Sequence, residues 1–478
     1  MAALEAIDPA SGEVLRRYDA HTKSEVDQRL TKMARAQAEW RTTPLAERVR
    51  PLLAAAEILT TRSSEWAALM AVEMGKPITQ GRAEAEKCAW VLRHYAEKAK
   101  TLLAPEPANI DGARAFVRFD PLGPLLAIMP WNYPFWQLFR CAAPALAAGN
   151  AMVLKHASNV PGCALAIERI FAEAGLPAGL FTTLLIHNDE VAKVIADERI
   201  AAVTLTGSER AGAEVASHAG RHLKKTVLEL GGSDAFIILA NSDIEKAIDT
   251  AVKARVQNTG QSCIAAKRFI VEHAVAPQVV EGLKQRFAKL KMGSPLDANT
   301  ELGPMARGDL RDGLHDQVQR SIADGARLII GGVPRPGPGY YYPGTLLVDC
   351  GPGVAAWDEE TFGPVAAVMA VSDAEKAIEA ANASPYGLGA SLWTHDLTLA
   401  ERLAARIESG SVFVNGMVKS DPRVPFGGVK RSGYGRELGR FGIHEWTNIK
   451  TVWIEPSTAP SSGSTPRSST TRSGSSLA

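Results

Sequence analysis

Ala201-Ala202-Val203-Thr204-Leu205-Thr206-Gly207-Ser208-Glu209-Arg210-Ala211-Gly212 joins a short apolar run to a glycine-led turn and then to a helical pattern. That order predicts a buried strand ending at residue 206, followed by a helix whose first amides are free to meet a phosphate. Apolar runs bounded by Pro and Gly recur at Leu125–Met129 and at 151–154, and helical patterns separate them at 160–173 and 188–196. Strands alternating with helices in this way predict a parallel α/β sheet. Upstream, 24–40 and 44–73 carry apolar residues at three and four spacing and read as two long helices, the second stopped by Gly75-Lys76-Pro77. Downstream, a strand-like run at 235–239 leads into a helix at Ile244–Val256. The Gly- and Pro-rich stretch 331–344 predicts an irregular loop, and 456–478, rich in Ser, Thr, Pro and Gly, predicts a disordered tail.

Composition narrows the function classes. The 478 residues hold 53 basic and 52 acidic side chains, intermixed along the chain, which leaves no basic footprint for nucleic acid or for an anionic membrane surface. No apolar run approaches the length needed to cross a bilayer, and the first residues lack the pattern of a signal peptide. Five widely spaced cysteines without a CxxC pair argue against a disulfide framework and against a metal site, and predict a reducing, cytoplasmic setting. Cys88 and Cys141 lie in alanine-rich apolar runs and read as inert core thiols.

Cys263 differs in its neighbours. Asn258-Thr259-Gly260-Gln261-Ser262-Cys263-Ile264 sets the thiol among small and amide-bearing residues, where a thiolate can reach a ligand. Leu228-Glu229-Leu230-Gly231-Gly232 places a lone carboxylate in an apolar setting beside glycines. Thiol attack on an aldehyde, followed by activation of water by a carboxylate, is one chemistry that needs these two groups and no metal. A dinucleotide site is weakly signalled: Gly207–Gly212 is not G-x-G-x-x-G, and Lys155, placed just after a predicted strand, is the second element in its favour.

Together these motifs resemble the aldehyde dehydrogenase superfamily, from near the N-terminus to about residue 455. Pro130-Trp131-Asn132-Tyr133-Pro134, the Glu229 motif, Gly260-Gln261-Ser262-Cys263, Glu359-Glu360-Thr361-Phe362-Gly363-Pro364 and Pro425-Phe426-Gly427-Gly428 carry the resemblance. One departure is Leu205, where the family often has Phe. The resemblance implies an α/β chain in three parts: a Rossmann-like cofactor domain (1–100 and 122–231), a catalytic domain (232–446) and a small β oligomerisation flap (101–121 and 447–455). It implies Cys263 as nucleophile, Glu229 as base and Asn132 as oxyanion donor. Trp131, Lys155, Ser158, Gly207, Ser208, Leu230, Glu360 and Phe362 are expected at the cofactor. A homodimer or homotetramer is expected through the strand 451–455. Relatives that release their thioester to coenzyme A typically lack the base, so Glu229 favours hydrolysis.

Members that prefer NAD carry a glutamate three residues after the lysine, and Ser158 stands there instead. A hydroxyl and a cation should admit the 2′-phosphate, so NADP is expected, with NAD as a poorer substitute. The resemblance is strongest to bacterial succinate semialdehyde dehydrogenases. Arg140 is expected to pair with a distal carboxylate, helped by Ser420, with Trp136 as tunnel wall or core. The alternative is an Arg140 that pairs with an acid inside the protein. Oxidation of another aldehyde, thiol-based ester hydrolysis and a catalytically silent scaffold are the competing readings.

Overall fold

In the computed structural model, which describes residues 3–111 and 113–456, two parallel sheets divide the chain. The expected tail, 456–478, lies outside the described residues apart from Pro456.

The first sheet has the spatial order Gly433–Tyr434, Lys225–Glu229, Ala202–Thr206, Leu125–Met129, Met152–His156, Phe181–Thr183. All neighbours are parallel except the short edge strand Gly433–Tyr434. Its three central strands are buried at every position but Ile128, which explains their continuous apolar runs. The strand order reverses between Leu125–Met129 and Ala202–Thr206. A crevice is therefore expected beyond their carboxyl ends, where Pro130–Asn132 and Gly207–Ser208 emerge.

The second sheet runs Arg327–Ile330, Thr345–Val348, Val365–Val371, Ala266–Glu272, Asp234–Ile238, Ala390–Trp393, Val412–Val414, with only the first strand antiparallel. Glu229 ends a strand of the first sheet, and Asp234 begins a central strand of the second. Asp234 is in register with Ala266, so the link after Glu229 and the link after Cys263 enter the same sheet edge side by side. This crossing brings together two residues that are remote in sequence.

Two sequence expectations need adjustment. The long helix expected over 44–73 is two helices, Leu45–Thr61 and Ser63–Met74, broken at Arg62, whose φ of −109° and ψ of 22° leave the helical range. Gly75 ends the second helix in the left-handed conformation, φ 79°. Lys155 lies inside the strand Met152–His156 rather than after it. Later in the chain, Gly433–Tyr434 pairs with Lys225–Glu229, and Phe426, Leu438, Ile443 and Trp446 join the core beneath the first sheet. Their apolar area finds its burial there.

The flap is a three-stranded sheet in which Arg114–Pro121 lies between Thr447–Ile454 and Glu106–Ala108. Among the described residues no helix is long and apolar enough to cross a membrane.

Candidate active site

A cavity of about 370 Å³ occupies the expected crevice, lined by Trp131, Asn132, Thr206, Gly207, Ser208, Leu230, Cys263, Glu360 and Phe362 among others. It gathers residues that follow strands of the first sheet and loop residues that lead into strands of the second. Trp131 and Phe362 meet edge to face at 5.7 Å. Ser208 caps the helix Glu209–Arg221 by accepting from Ala211 N, and as at any helix start the first amides lack intrahelical partners.

Cys263 is half-buried on a loop that only an unusual backbone can make. Asn258, Thr259 and Gly260 take φ values of 52°, 55° and 75° in succession. A Cβ on Gly260 would lie 2.3 Å from Gly363 C, so glycine is required there. The loop is held from beneath by the fully buried Lys267, whose ammonium donates to Ser262 O (3.0 Å), Cys263 O (2.9 Å) and Ala265 O (3.4 Å) and pairs with Glu360 at 3.3 Å. Burial pushes the Cys263 thiol up to about 12, against the lowering pull of Arg140 and Lys267.

The amide of Asn132 has a defined orientation. Gln137 Nε2 donates to its Oδ1 at 3.0 Å, and its own Nδ2 donates to Gln261 O at 3.0 Å. Asn258 Nδ2 ties the backbone together by donating to Asn132 O (2.7 Å) and to Gln261 O (3.0 Å). One Nδ2 proton is thereby left for a ligand beside the thiol.

Glu229 is 2% exposed, and neither carboxylate oxygen has a hydrogen-bond partner among the described residues. Burial raises its pKa well above the usual carboxylate range, with Arg140 opposing and Glu437 adding to the rise. Gly427 leaves it room, since a Cβ there would come within 2.7 Å of Glu229 Oε1. Glu360 contrasts with it: Oε1 accepts from Gly232 N at 3.0 Å, and a Cβ on Gly231 would press to 2.5 Å of its Oε2.

On strand Met152–His156, Lys155 is 4% exposed, its ammonium donates to Asn188 Oδ1, and burial lowers its pKa to about 8. Ser158 is exposed on the turn that follows.

Arg140 has an acid partner inside the protein, the alternative that the sequence left open. Its guanidinium is fully buried, pairs with Glu437, reaches Thr206 Oγ1 at 3.2 Å and stacks over Phe426 at 4.8 Å. A charge on a helix buried along its whole length, Trp136–Ala148, must bring its own counter-charge, and Glu437 supplies it. Trp136 and Ser420 are also buried, and Trp136 lines a second cavity of about 670 Å³ together with Tyr133, Gln80, Glu84 and Lys87. Ser420 Oγ accepts from Lys87 Nζ at 2.8 Å.

Sequence reasoning missed Lys267, Gln137, Asn258 and Glu437. The first three lie inside or beside quoted motifs, where an amide or lysine among small residues was a usable signal. Glu437 offers none, because its partner stands far away in the chain.

The sequence profile of the aldehyde dehydrogenase family matches residues 2–452. A probable succinate-semialdehyde dehydrogenase (NADP+) of Synechocystis is 52% identical over 452 residues, 95% of this chain and 100% of the relative. A succinate semialdehyde dehydrogenase (NAD(P)+) of Escherichia coli is 49% identical over 94% of this chain and 97% of its own length. The crystal structure of succinic semialdehyde dehydrogenase from Streptococcus pyogenes in complex with NADP+ superimposes with a TM-score of 0.93 at 38% identity, covering 95% of this chain and 100% of that one. With nearly the whole chain matched and both sheets meeting at one cysteine-bearing crevice, the chain belongs to the aldehyde dehydrogenase family.

Proposed function

We propose that this chain oxidises succinate semialdehyde to succinate with NADP, through a thioester on Cys263. The observation that carries the reading is the crevice itself, in which a thiol, a side-chain amide and the neighbourhood of an unpartnered carboxyl converge beside the Gly207–Ser208 turn. The relatives' names support the substrate and the cofactor.

The residues present fit NADP. Glu360, braced by Lys267 and by Gly232 N, is a fixed acceptor for ribose hydroxyls, and Trp131 and Phe362 form apolar walls. Lys155 and the exposed hydroxyl of Ser158 suit an extra phosphate on the adenosine ribose, with no carboxylate at 158 to repel it. When bound, NADP would supply the hydride acceptor.

Cys263 attacks the aldehyde carbon as a thiolate. Because burial favours the protonated thiol, the proton must pass to an acceptor, and Glu229 has two oxygens free to take it. The developing oxyanion is met by Asn132 Nδ2, which Gln137 and Gln261 have already oriented. After hydride departure the thioester carbon is attacked by water that Glu229 deprotonates, a task suited to a carboxyl with a raised pKa. Carboxylate product then leaves.

A homo-oligomer and a cytoplasmic setting belong to the same proposal. Strand Thr447–Ile454 lies at the edge of the flap sheet and exposes Ile449, Trp453 and Ile454, which suits pairing across subunits.

The test is the initial rate of NADPH formation with succinate semialdehyde, set beside butanal and repeated with NAD. A kcat/KM at least tenfold higher for the acid-bearing aldehyde with NADP is expected. Equal or faster oxidation of butanal removes the semialdehyde assignment and leaves the dehydrogenase.

A further inference from the structure

The loop that carries Cys263 is bent in a way its own residues resist. Asn258 and Thr259 stand one after the other in the left-handed region, at φ 52°, ψ 40° and φ 55°, ψ 32°, ahead of Gly260 at φ 75°. Glycine adopts that region freely and asparagine tolerates it, whereas a β-branched side chain crowds its own backbone there. Among the described residues, Thr259 is the only β-branched residue with a positive φ. A bend of this kind persists only where its surroundings hold it.

The holding contacts come from outside the loop. Thr259 is fully buried, and its hydroxyl accepts from Gly303 N at 3.0 Å and reaches Gly303 O at 3.4 Å. Two residues on, Gln261 Oε1 accepts from Ala306 N at 2.9 Å. On the other side of the bend, Asn258 N donates to Gln80 Oε1 at 2.6 Å, from helix Ile78–Leu102. The Gly303 segment is itself wedged in place: a Cβ on Gly303 would stand 2.2 Å from Gly75 O, and one on Gly75 would stand 2.7 Å from Pro304 O. Gly75 ends helix Ser63–Met74, so Thr259 is fastened to a rigid part of the first half of the chain.

What the bend controls lies just beyond it. Gln261 O accepts from Asn132 Nδ2 and from Asn258 Nδ2, both at 3.0 Å. A loop that turned at Thr259 would carry the thiol away from the Asn132 amide and would take from that amide the acceptor that aims it. Arg255 Nη2 donates to Gly260 O at 2.7 Å, and Lys267 donates to the carbonyls of 262, 263 and 265, so both fix the chain after the bend. Thr259 fastens the bend at the residue that most disfavours it.

We propose that Thr259 is a positioning residue for this reaction, its hydroxyl, bound to Gly303, holding the nucleophile loop in the left-handed bend that presents Cys263 to the aldehyde. This rests on the reading of Cys263 as nucleophile. Thr259 lines neither the crevice nor the 670 Å³ cavity, so it acts through the backbone it holds.

The experiment compares kcat, KM for NADP and melting temperature in wild type, Thr259→Ser, Thr259→Val, Thr259→Gly and Cys263→Ala, as purified full-length protein. Rates are taken well below melting, on whichever of succinate semialdehyde and butanal the wild type oxidises faster. Thr259→Ser keeps the hydroxyl and should hold kcat within about twofold. Thr259→Val keeps the shape and the disfavoured branch but loses the bond to Gly303, and should lower kcat on the order of thirtyfold with KM for NADP unchanged. Thr259→Gly loses the same hydroxyl but makes the bend easy, so its loss should stay below about tenfold. A hydroxyl needed only for packing and stability would give the opposite order, because glycine leaves a hole as well. Should Thr259→Val not fold, Thr259→Ala, which also lacks the hydroxyl and also resists the bend, takes its place. A Thr259→Val protein that melts lower yet keeps its kcat, or a Thr259→Gly protein slower than Thr259→Val, would overturn the proposal. A Cys263→Ala protein that still oxidised the aldehyde would remove the nucleophile reading itself.

Discussion

Glu229 and Glu360 both act electrostatically on Cys263, and the protein treats them in opposite ways. Glu360 is half-exposed in the crevice, braced by the Lys267 ammonium at 3.3 Å and by Gly232 N at 3.0 Å. Glu229 is buried with both oxygens bare, and its charged form is penalised by burial. A carboxylate held by a cation and an amide is fixed in place, which suits an acceptor for a ligand's hydroxyls. One stripped of partners and water takes up a proton readily and moves it, which suits a base. The difference lies in the surroundings, since the two side chains are chemically identical.

The largest effect should come from Glu229→Gln. Steady-state turnover should fall on the order of a thousandfold. The burst of NADPH in rapid-mixing measurements should be slowed as well, because Glu229 takes the Cys263 proton before hydride leaves. A burst of about one NADPH per subunit at the wild-type rate would show that Glu229 serves hydrolysis alone. The same substitution should raise stability above acidic pH, as follows from the sign of the shift. Glu229 has a folded-state pKa raised above its unfolded value, so between the two the unfolded chain has released a proton that the folded chain keeps. Each pH unit in that window costs about 1.4 kcal/mol of stability, and the cost disappears below the unfolded value. Glutamine carries no such cost, so the variant should melt higher at pH 7 and no higher at pH 4. A lower melting temperature at pH 7 would contradict the account of Glu229 as a bare buried acid.

Lys267→Met tests the other side of the comparison. It leaves three carbonyls of the nucleophile loop without their donor and Glu360 without its cation. A destabilisation of about 3 kcal/mol in denaturant titration is expected, with a raised KM for NADP. If Glu360 were held adequately by Gly232 N alone, KM would stay unchanged while stability fell.

Thiol reactivity offers a milder probe. With burial holding Cys263 near 12, the rate of alkylation by iodoacetamide without cofactor should rise about tenfold per pH unit from pH 7 to 10. A plateau below pH 9 would mean that the thiolate is already stabilised in the free protein.

Much of this was legible in the sequence because it rests on local pattern. Runs such as Leu125–Met129 announce buried parallel strands, and Gly260 and Gly231 announce close approaches. What was not legible depends on distant partners. Arg140 reads as a guanidinium in want of a carboxylate, but nothing local points to Glu437, a residue whose own neighbours carry no hint of the pairing. Nothing local to Lys87 shows that Trp136 and Ser420 will lie against it. The pairing of Gly433–Tyr434 with the first sheet was not legible for the same reason, since only the folded chain brings the two strands together.

The smallest effect concerns Ser158, which lies on the exposed turn after Lys155. Ser158→Glu places at this turn a carboxylate like those of Glu229 and Glu360, but in water. Two unit charges roughly 4 Å apart in bulk water interact by about 1 kcal/mol. A 2′-phosphate carries up to about two charges, so the penalty against NADP is roughly 2 kcal/mol, some thirtyfold in relative kcat/KM for NADP over NAD. Because the site is exposed, that ratio should recover in part when salt is raised from about 0.05 to 0.5 M, as screening shortens the reach of the charge. Changes at Glu229 should be insensitive to the same salt. A Ser158→Glu variant that kept its NADP preference at low salt would place the 2′-phosphate away from this turn and leave Lys155 without its proposed companion.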